Sequence, residues 1–257
     1  MDPGQAVNDS TADSLLFNCT GCGKCCTGHH VPLTLSEARQ WADDDGQIIV
    51  LVEAFLDNGL GLPPAQQEHA RRRSCAVPCG TTEAYVAITF AAFNPGPCRN
   101  LDADLRCLIY ERRPLVCRIY PMEINPHIPL RPDAKDCPPE AWGSGEVLIY
   151  RERVADPQLL EMIERSRQAD RDDIRHKALV CQHLGIDTSA LKGNGFTAYL
   201  PPTAALRQAM LDAAGEPDAA LAAWTLHVED GDLAGKLGSA GARITGVSAG
   251  HYSFIGF

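Results

Sequence analysis

Apolar and polar positions along this chain predict short elements separated by long loops. Leu33-Thr34-Leu35-Ser36-Glu37-Ala38 opens a helix, with Thr34 or Ser36 at its N-cap. The apolar stretch from about Gln47 to Asn58 predicts a second helix, closed by Gly59. Ala84–Phe93 is rich in Val, Ile, Thr and aromatic residues, and reads as a strand that delivers the chain to Cys98. Val147–Tyr150 reads as another short strand. Asp156-Pro157 has the N-cap and first-turn pattern, and Gly185 closes a helix of about 25 residues between them. Ile174, Ala178 and Cys181 share one face of that helix, which makes Cys181 a core residue. Shorter helices follow over Ala204–Ala214 and Asp218–Val228, and the glycine-rich tail beyond Gly231 is weakly structured by pattern.

These elements predict an α+β chain in three parts. Residues 1–14 form a disordered tail, and residues 15–155 form a small loop-rich domain organised by metal. Residues 156–257 form a mostly helical C-terminal region, with the boundary near Ala155. The proline-rich stretch Pro114–Pro139 is expected to be irregular.

The chemistry lies in the cysteines. Cys19-Thr20-Gly21-Cys22-Gly23-Lys24-Cys25-Cys26 packs four thiols into eight residues. Its C-x-x-C gaps let successive thiolates turn back onto one metal, or onto neighbouring irons of one cluster. Gly21 and Gly23 stand where the backbone must bend tightly. Cys19, Cys22 and Cys25 copy the first three positions of a ferredoxin-type run, but the usual fourth, x3-Cys-Pro, is missing. The fourth ligand is therefore Cys26 or comes from far along the chain. Cys98, Cys107, Cys117 and Cys137 are available for that role. Eight thiols serve either one four-thiolate site with spares or two such sites.

Phe17-x-Cys19-x2-Cys22-x2-Cys25-Cys26 is followed by Cys98-x2-Leu101 and by Arg106-Cys107-x-Ile109-Tyr110-Glu111-x-Arg113-Pro114-x2-Cys117-Arg118-x-Tyr120-Pro121, then Cys137-Pro138. In this order the motifs resemble the bacterial YkgJ-type CxxCxxCC family, described as a zinc- or iron-chelating domain, over roughly residues 15–150. Two departures stand out. Pro139-Glu140 follows Cys137-Pro138 where the family tends to have glycine, and Cys75-x3-Cys79 is an addition to the pattern. The resemblance implies metal ligation by Cys19, Cys22, Cys25, Cys26, Cys98, Cys107, Cys117 and Cys137. A distant likeness to flagellin lysine methylases implies a third possibility, a cluster-dependent enzyme acting by group transfer or redox chemistry.

Composition narrows the rest. A net charge of −10 argues against duplex or membrane-surface binding as the main task, and no apolar run approaches a membrane span. Met1–Ser14 has no apolar core of a signal peptide, and eleven cysteines in such a chain suit a reducing, cytoplasmic compartment. Arg99, Arg106, Arg112, Arg113 and Arg118 flank the later cysteines. There they can offset the −2 charge of a four-thiolate zinc site or of an oxidised four-iron cluster, with Arg106 and Arg118 favoured because they adjoin cysteines. His29 and His30 are weaker candidates beside eight thiols. No phosphate loop, G-x-S-x-G or H-E-x-x-H occurs, and Gly235-x2-Gly238-x2-Gly241 lacks an expected preceding strand. The expected cofactor is a [4Fe–4S] cluster, with Zn2+ as the alternative. The choice between a protein and a small-molecule partner stays open.

Overall fold

The computed structural model describes residues 14–57, 62, 64–246 and 250–256. The expected tail therefore lies outside the described residues, apart from Ser14. In chain order the strands are β1 (Ser14–Phe17), β2 (Val31–Leu33), β3 (Ile48–Leu56), β4 (Cys75–Cys79), β5 (Thr82–Ala92), β6 (Glu146–Tyr150), β7 (Arg153–Val154), β8 (Thr188–Leu191), β9 (Gly195–Tyr199), β10 (Thr225–His227), β11 (Ile244–Thr245) and β12 (Ser253–Gly256). The α-helices are α1 (Leu35–Asp43), α2 (Pro64–Arg72), α3 (Leu115–Ile119), α4 (Pro157–Asp172), α5 (Ile174–His183), α6 (Thr203–Gly215) and α7 (Gly231–Ser239). The α+β expectation holds.

Two compact units interleave along the chain. One joins the chain up to His29 with Gly96–Arg165, and the other joins His30–Pro95 with Ser166–Phe257. The physical reason is β pairing. β5 needs β3 and β4 beside it, and β3 in turn needs β8 and β9 from far along the sequence.

The first unit carries the cysteine cluster. β6 pairs antiparallel with β1 and β7, with Ser14 opposite Tyr150 and Ile149 opposite Val154. Leu115 and Ile119 of α3, Leu148 of β6, and Leu159 and Ile163 of α4 form its buried core. Each side chain of this size contributes about 1.5–3 kcal/mol on burial. Phe17 and Trp142 close the core from outside, their ring centroids 4.9 Å apart. So Pro114–Pro139 is less irregular than expected, because α3 must present Leu115 and Ile119 to this core.

The second unit is built on a sheet ordered β11-β10-β8-β3-β5-β2, with β4 on β5, β9 on β3 and β12 on β9. β3 corrects the helix expected over Gln47–Asn58. Ile48-Ile49-Val50-Leu51-Val52 is a β-branched run without helical period, and it pairs residue for residue with β5, from Ile48 opposite Ala92 to Leu56 opposite Ala84. A strand buried on both faces shows no alternation, and periodicity alone cannot separate it from a buried helix. Glu53 is the charge in this run, and Lys192 pairs with it.

Thr34 caps α1 as expected. Its hydroxyl accepts from Glu37 N at 3.2 Å, and Glu37 Oε2 accepts from Thr34 N at 2.9 Å. The long helix divides at Asp173, between α4 and α5. The Asp173 carboxylate accepts from Leu35 N, in the first turn of α1, at 2.7 Å. Cys181 is buried on α5, as its spacing predicts.

Two further expectations change at the C-terminus. Asp218–Val228 is not a helix: it is a loop leading into β10, whose three residues are all buried. The glycine-rich tail holds a helix, α7, opened by Asp230, whose side chain accepts from Leu233 N at 2.7 Å, and anchored by buried Leu237. A strand, β10, does precede the glycines, but Gly235 and Gly238 lie inside α7 rather than in a phosphate-binding turn. Among the described residues no helix is long and apolar enough to cross a membrane.

Candidate metal centre

All eight candidate cysteines belong to the first unit. Cys25 and Cys26 sit on a single 3-10 turn, Lys24–Cys26, entered through Gly23 at φ 70°. Gly21 adopts φ 68°, so both glycines take the left-handed conformation that the bend expected between the cysteines requires. The Cys25 and Cys26 sulfurs lie 3.9 Å apart and share a hydrogen bond.

Backbone pairing brings the later cysteines to this loop. Cys98 N donates to Cys26 O at 2.6 Å, and Thr27 bridges to Pro97. Leu101 N donates to Cys98 O at 2.9 Å, and Leu101 also bridges to Cys107. Cys117 lies mid-way along α3. On another side, Asn18 N donates to Ala141 O at 2.8 Å and Phe17 bridges to Trp142. This holds the start of the cysteine loop beside the segment that follows Cys137. Cys137 Sγ is 3.4 Å from the Tyr120 hydroxyl.

The thiols perturb one another strongly. In the Cys25–Cys26 pair, the shared hydrogen bond drives the two in opposite directions. Cys26 falls to about 6, helped by Arg113 and His29, while Cys25 is raised, and burial and the charges of Cys26, Cys19 and Cys117 raise it further. Burial pushes Cys117 up to about 12, and the charges of Cys26, Cys98 and Cys107 add to it. Cys98 is raised by burial, with Cys26 and Cys107 contributing. Cys137 is raised by burial too, and its thiol neighbours are Cys22 and Cys19. The raised thiols, Cys25, Cys98, Cys117 and Cys137, are stabilised when a cation replaces their protons.

The donor set therefore fits a thiophilic metal: eight sulfurs, in a unit whose folding brings them to each other's charge. As they stand, no three His, Cys, Asp or Glu side chains among the described residues are gathered closely enough to hold an ion. Binding would have to draw the thiols inward.

The charged neighbours of the cluster differ in part from those that adjacency favours. The guanidinium acting on Cys26 and Cys117 is that of Arg113. Adjacency pointed instead to Arg106 and Arg118. Arg113 is itself held over the Tyr110 ring, 3.7 Å from its centroid. His29 Nε2 pairs with Asp136 Oδ2 at 2.8 Å, whereas His30 stacks on Phe93 in the second unit. Lys135 lies 5.5 Å from the Tyr120 ring centroid and pairs with Glu123 at 2.6 Å. Cys75 and Cys79 mark the two ends of β4 in the second unit, outside the cluster.

Residues 18–138 match the model of the family described as "CxxCxxCC: Putative zinc- or iron-chelating domain". The match runs through both compact units, since His30–Pro95 belongs to the second. No curated protein and no solved structure matches the chain significantly.

Proposed function

We propose that the cysteine-rich unit holds a [4Fe–4S] cluster, with Cys19, Cys22 and Cys25 as ferredoxin-spaced ligands and a later cysteine as the fourth. The observation that carries this reading is the gathering of all eight candidate thiols into one unit, although His30–Pro95 separates them in the chain. When bound, such a cluster supplies one-electron chemistry at a potential set by its surroundings. The chain's own residues set those surroundings. Arg113 offsets thiolate charge at Cys26 and Cys117, and the Tyr120 hydroxyl hydrogen-bonds Cys137. Eleven free thiols support a reducing compartment for such a protein.

A structural zinc site is the second reading, favoured by one distance. A tetrahedral zinc with Zn–S bonds of about 2.3 Å has sulfur–sulfur edges of about 3.8 Å, and Cys25 and Cys26 already lie 3.9 Å apart. Anaerobic purification followed by iron, sulfide and zinc analysis and visible absorption separates the readings. A brown protein with near-equal iron and sulfide supports the cluster, whereas a colourless protein holding only zinc overturns it.

A further inference from the structure

We infer that Cys25 and Cys26, though adjacent, belong to two different metal centres, one bound by Cys26, Cys98, Cys107 and Cys117 and the other by Cys19, Cys22, Cys25 and Cys137. The inference rests on the proposed metal binding, and it opposes the zinc reading only where Cys25 and Cys26 would share one ion.

The backbone makes the division. Backbone pairings link three cysteines of the first group, Cys26, Cys98 and Cys107. Cys98 N donates to Cys26 O, Leu101 N donates to Cys98 O, and Leu101 bridges to Cys107. Leu108 N, just after Cys107, donates to Asn100 O at 2.8 Å, which locks the Cys98 and Cys107 loops to each other. From there eight residues, Ile109–Val116, lead to Cys117 on α3. The second group is held from the opposite end of the cysteine loop. Asn18 N donates to Ala141 O and Phe17 bridges to Trp142, so Cys19 starts beside the stretch that Cys137 opens. The thiol charges that act on one another divide the same way: Cys98 and Cys117 face Cys26 and Cys107, whereas Cys137 faces Cys19 and Cys22. Cys25 faces Cys26, Cys19 and Cys117, so it stands at the seam.

The local geometry allows the split. Successive residues of a 3-10 turn point about 120° apart, at three residues per turn, so Cys25 and Cys26 on Lys24–Cys26 naturally aim at different partners. Their present approach is a hydrogen bond that needs a thiol proton.

The test uses the full chain, purified anaerobically, with metal per chain measured for the wild type, Cys25→Ser, Cys26→Ser and the double variant. Two centres predict that each single variant keeps about half of the wild-type metal and that the double variant loses nearly all of it. Cys22→Ser and Cys107→Ser, one from each group, should reproduce the two halves, which separates loss of a centre from loss of the fold. If the double variant loses no more than either single variant, Cys25 and Cys26 share one ion and the inference falls. A wild type with metal for one four-thiolate centre overturns it as well, while leaving the proposed metal binding intact. A wild type with no metal overturns both.

Discussion

The Tyr120 hydroxyl and Cys137 Sγ lie 3.4 Å apart, so a phenol from the end of α3 hydrogen-bonds the last cysteine of the cluster. Here Cys137 Sγ donates to the Tyr120 oxygen; burial and the Cys137 contact raise the Tyr120 pKa, so the phenol keeps its proton at neutral pH and is available as a donor once a metal holds Cys137 as thiolate. Hydrogen bonds to cluster sulfurs are one of the levers on reduction potential. Tyr120→Phe should retain metal but shift the midpoint potential downwards, measured by spectroelectrochemistry. Loss of metal in this variant would assign Tyr120 a structural role instead.

Replacing Cys117 with Ser should remove about half of the metal and destabilise the first unit, because binding and folding share one free energy when ligands lie on loops. Replacing Cys181 with Ser should leave metal content unchanged and cost about 1–3 kcal/mol for a buried hydroxyl, since Cys181 is fully buried on α5. Metal analysis with thermal unfolding checks both. Full metal in Cys117→Ser with loss in Cys181→Ser would reverse the assignment.

The metal-free chain should show two opposed pH dependences. Cys26 titrates in the folded state at about 6, below its ordinary value of 9.0. Its contribution to stability is complete above 9.0 and is lost as pH falls through about 6. Cys117 moves the other way, to about 12, so its contribution is complete below 9.0 and is lost as pH rises towards 12. Urea unfolding of the metal-free chain and of Cys26→Ser across pH 5–9, roughly the window in which a depressed thiol titrates, checks the first. The variant should lose the acid-side slope that the wild type shows.

Thr34→Ala removes one half of the capping box on α1. The expected cost is about 1 kcal/mol, or a melting temperature lower by roughly 2–4 °C in a chain of this size. An unchanged melting temperature would mean that the Asp173 carboxylate on Leu35 N holds this helix start by itself.

Local chemistry was legible in the linear order of residues. Cysteine spacing, the glycines that bend between them, the Thr34–Glu37 cap and the core position of Cys181 all depend on neighbours within one or two turns, so the chain states them directly. Anything decided by distant pairing was hidden. β3 read as a helix because a strand covered on both faces has no alternation to reveal it. The break at Asp173 depends on Leu35, far away in sequence. The interleaved units follow from strands that find their partners across most of the chain, and loop closure carries no local signature. Arg113 rather than Arg106 became the cation beside Cys26 for the same reason. The residue types present determined that this chain concentrates its thiols in a few short segments. Only the tertiary structure decided which backbone brings each thiol to the others, because long-range hydrogen bonds rather than spacing set those positions.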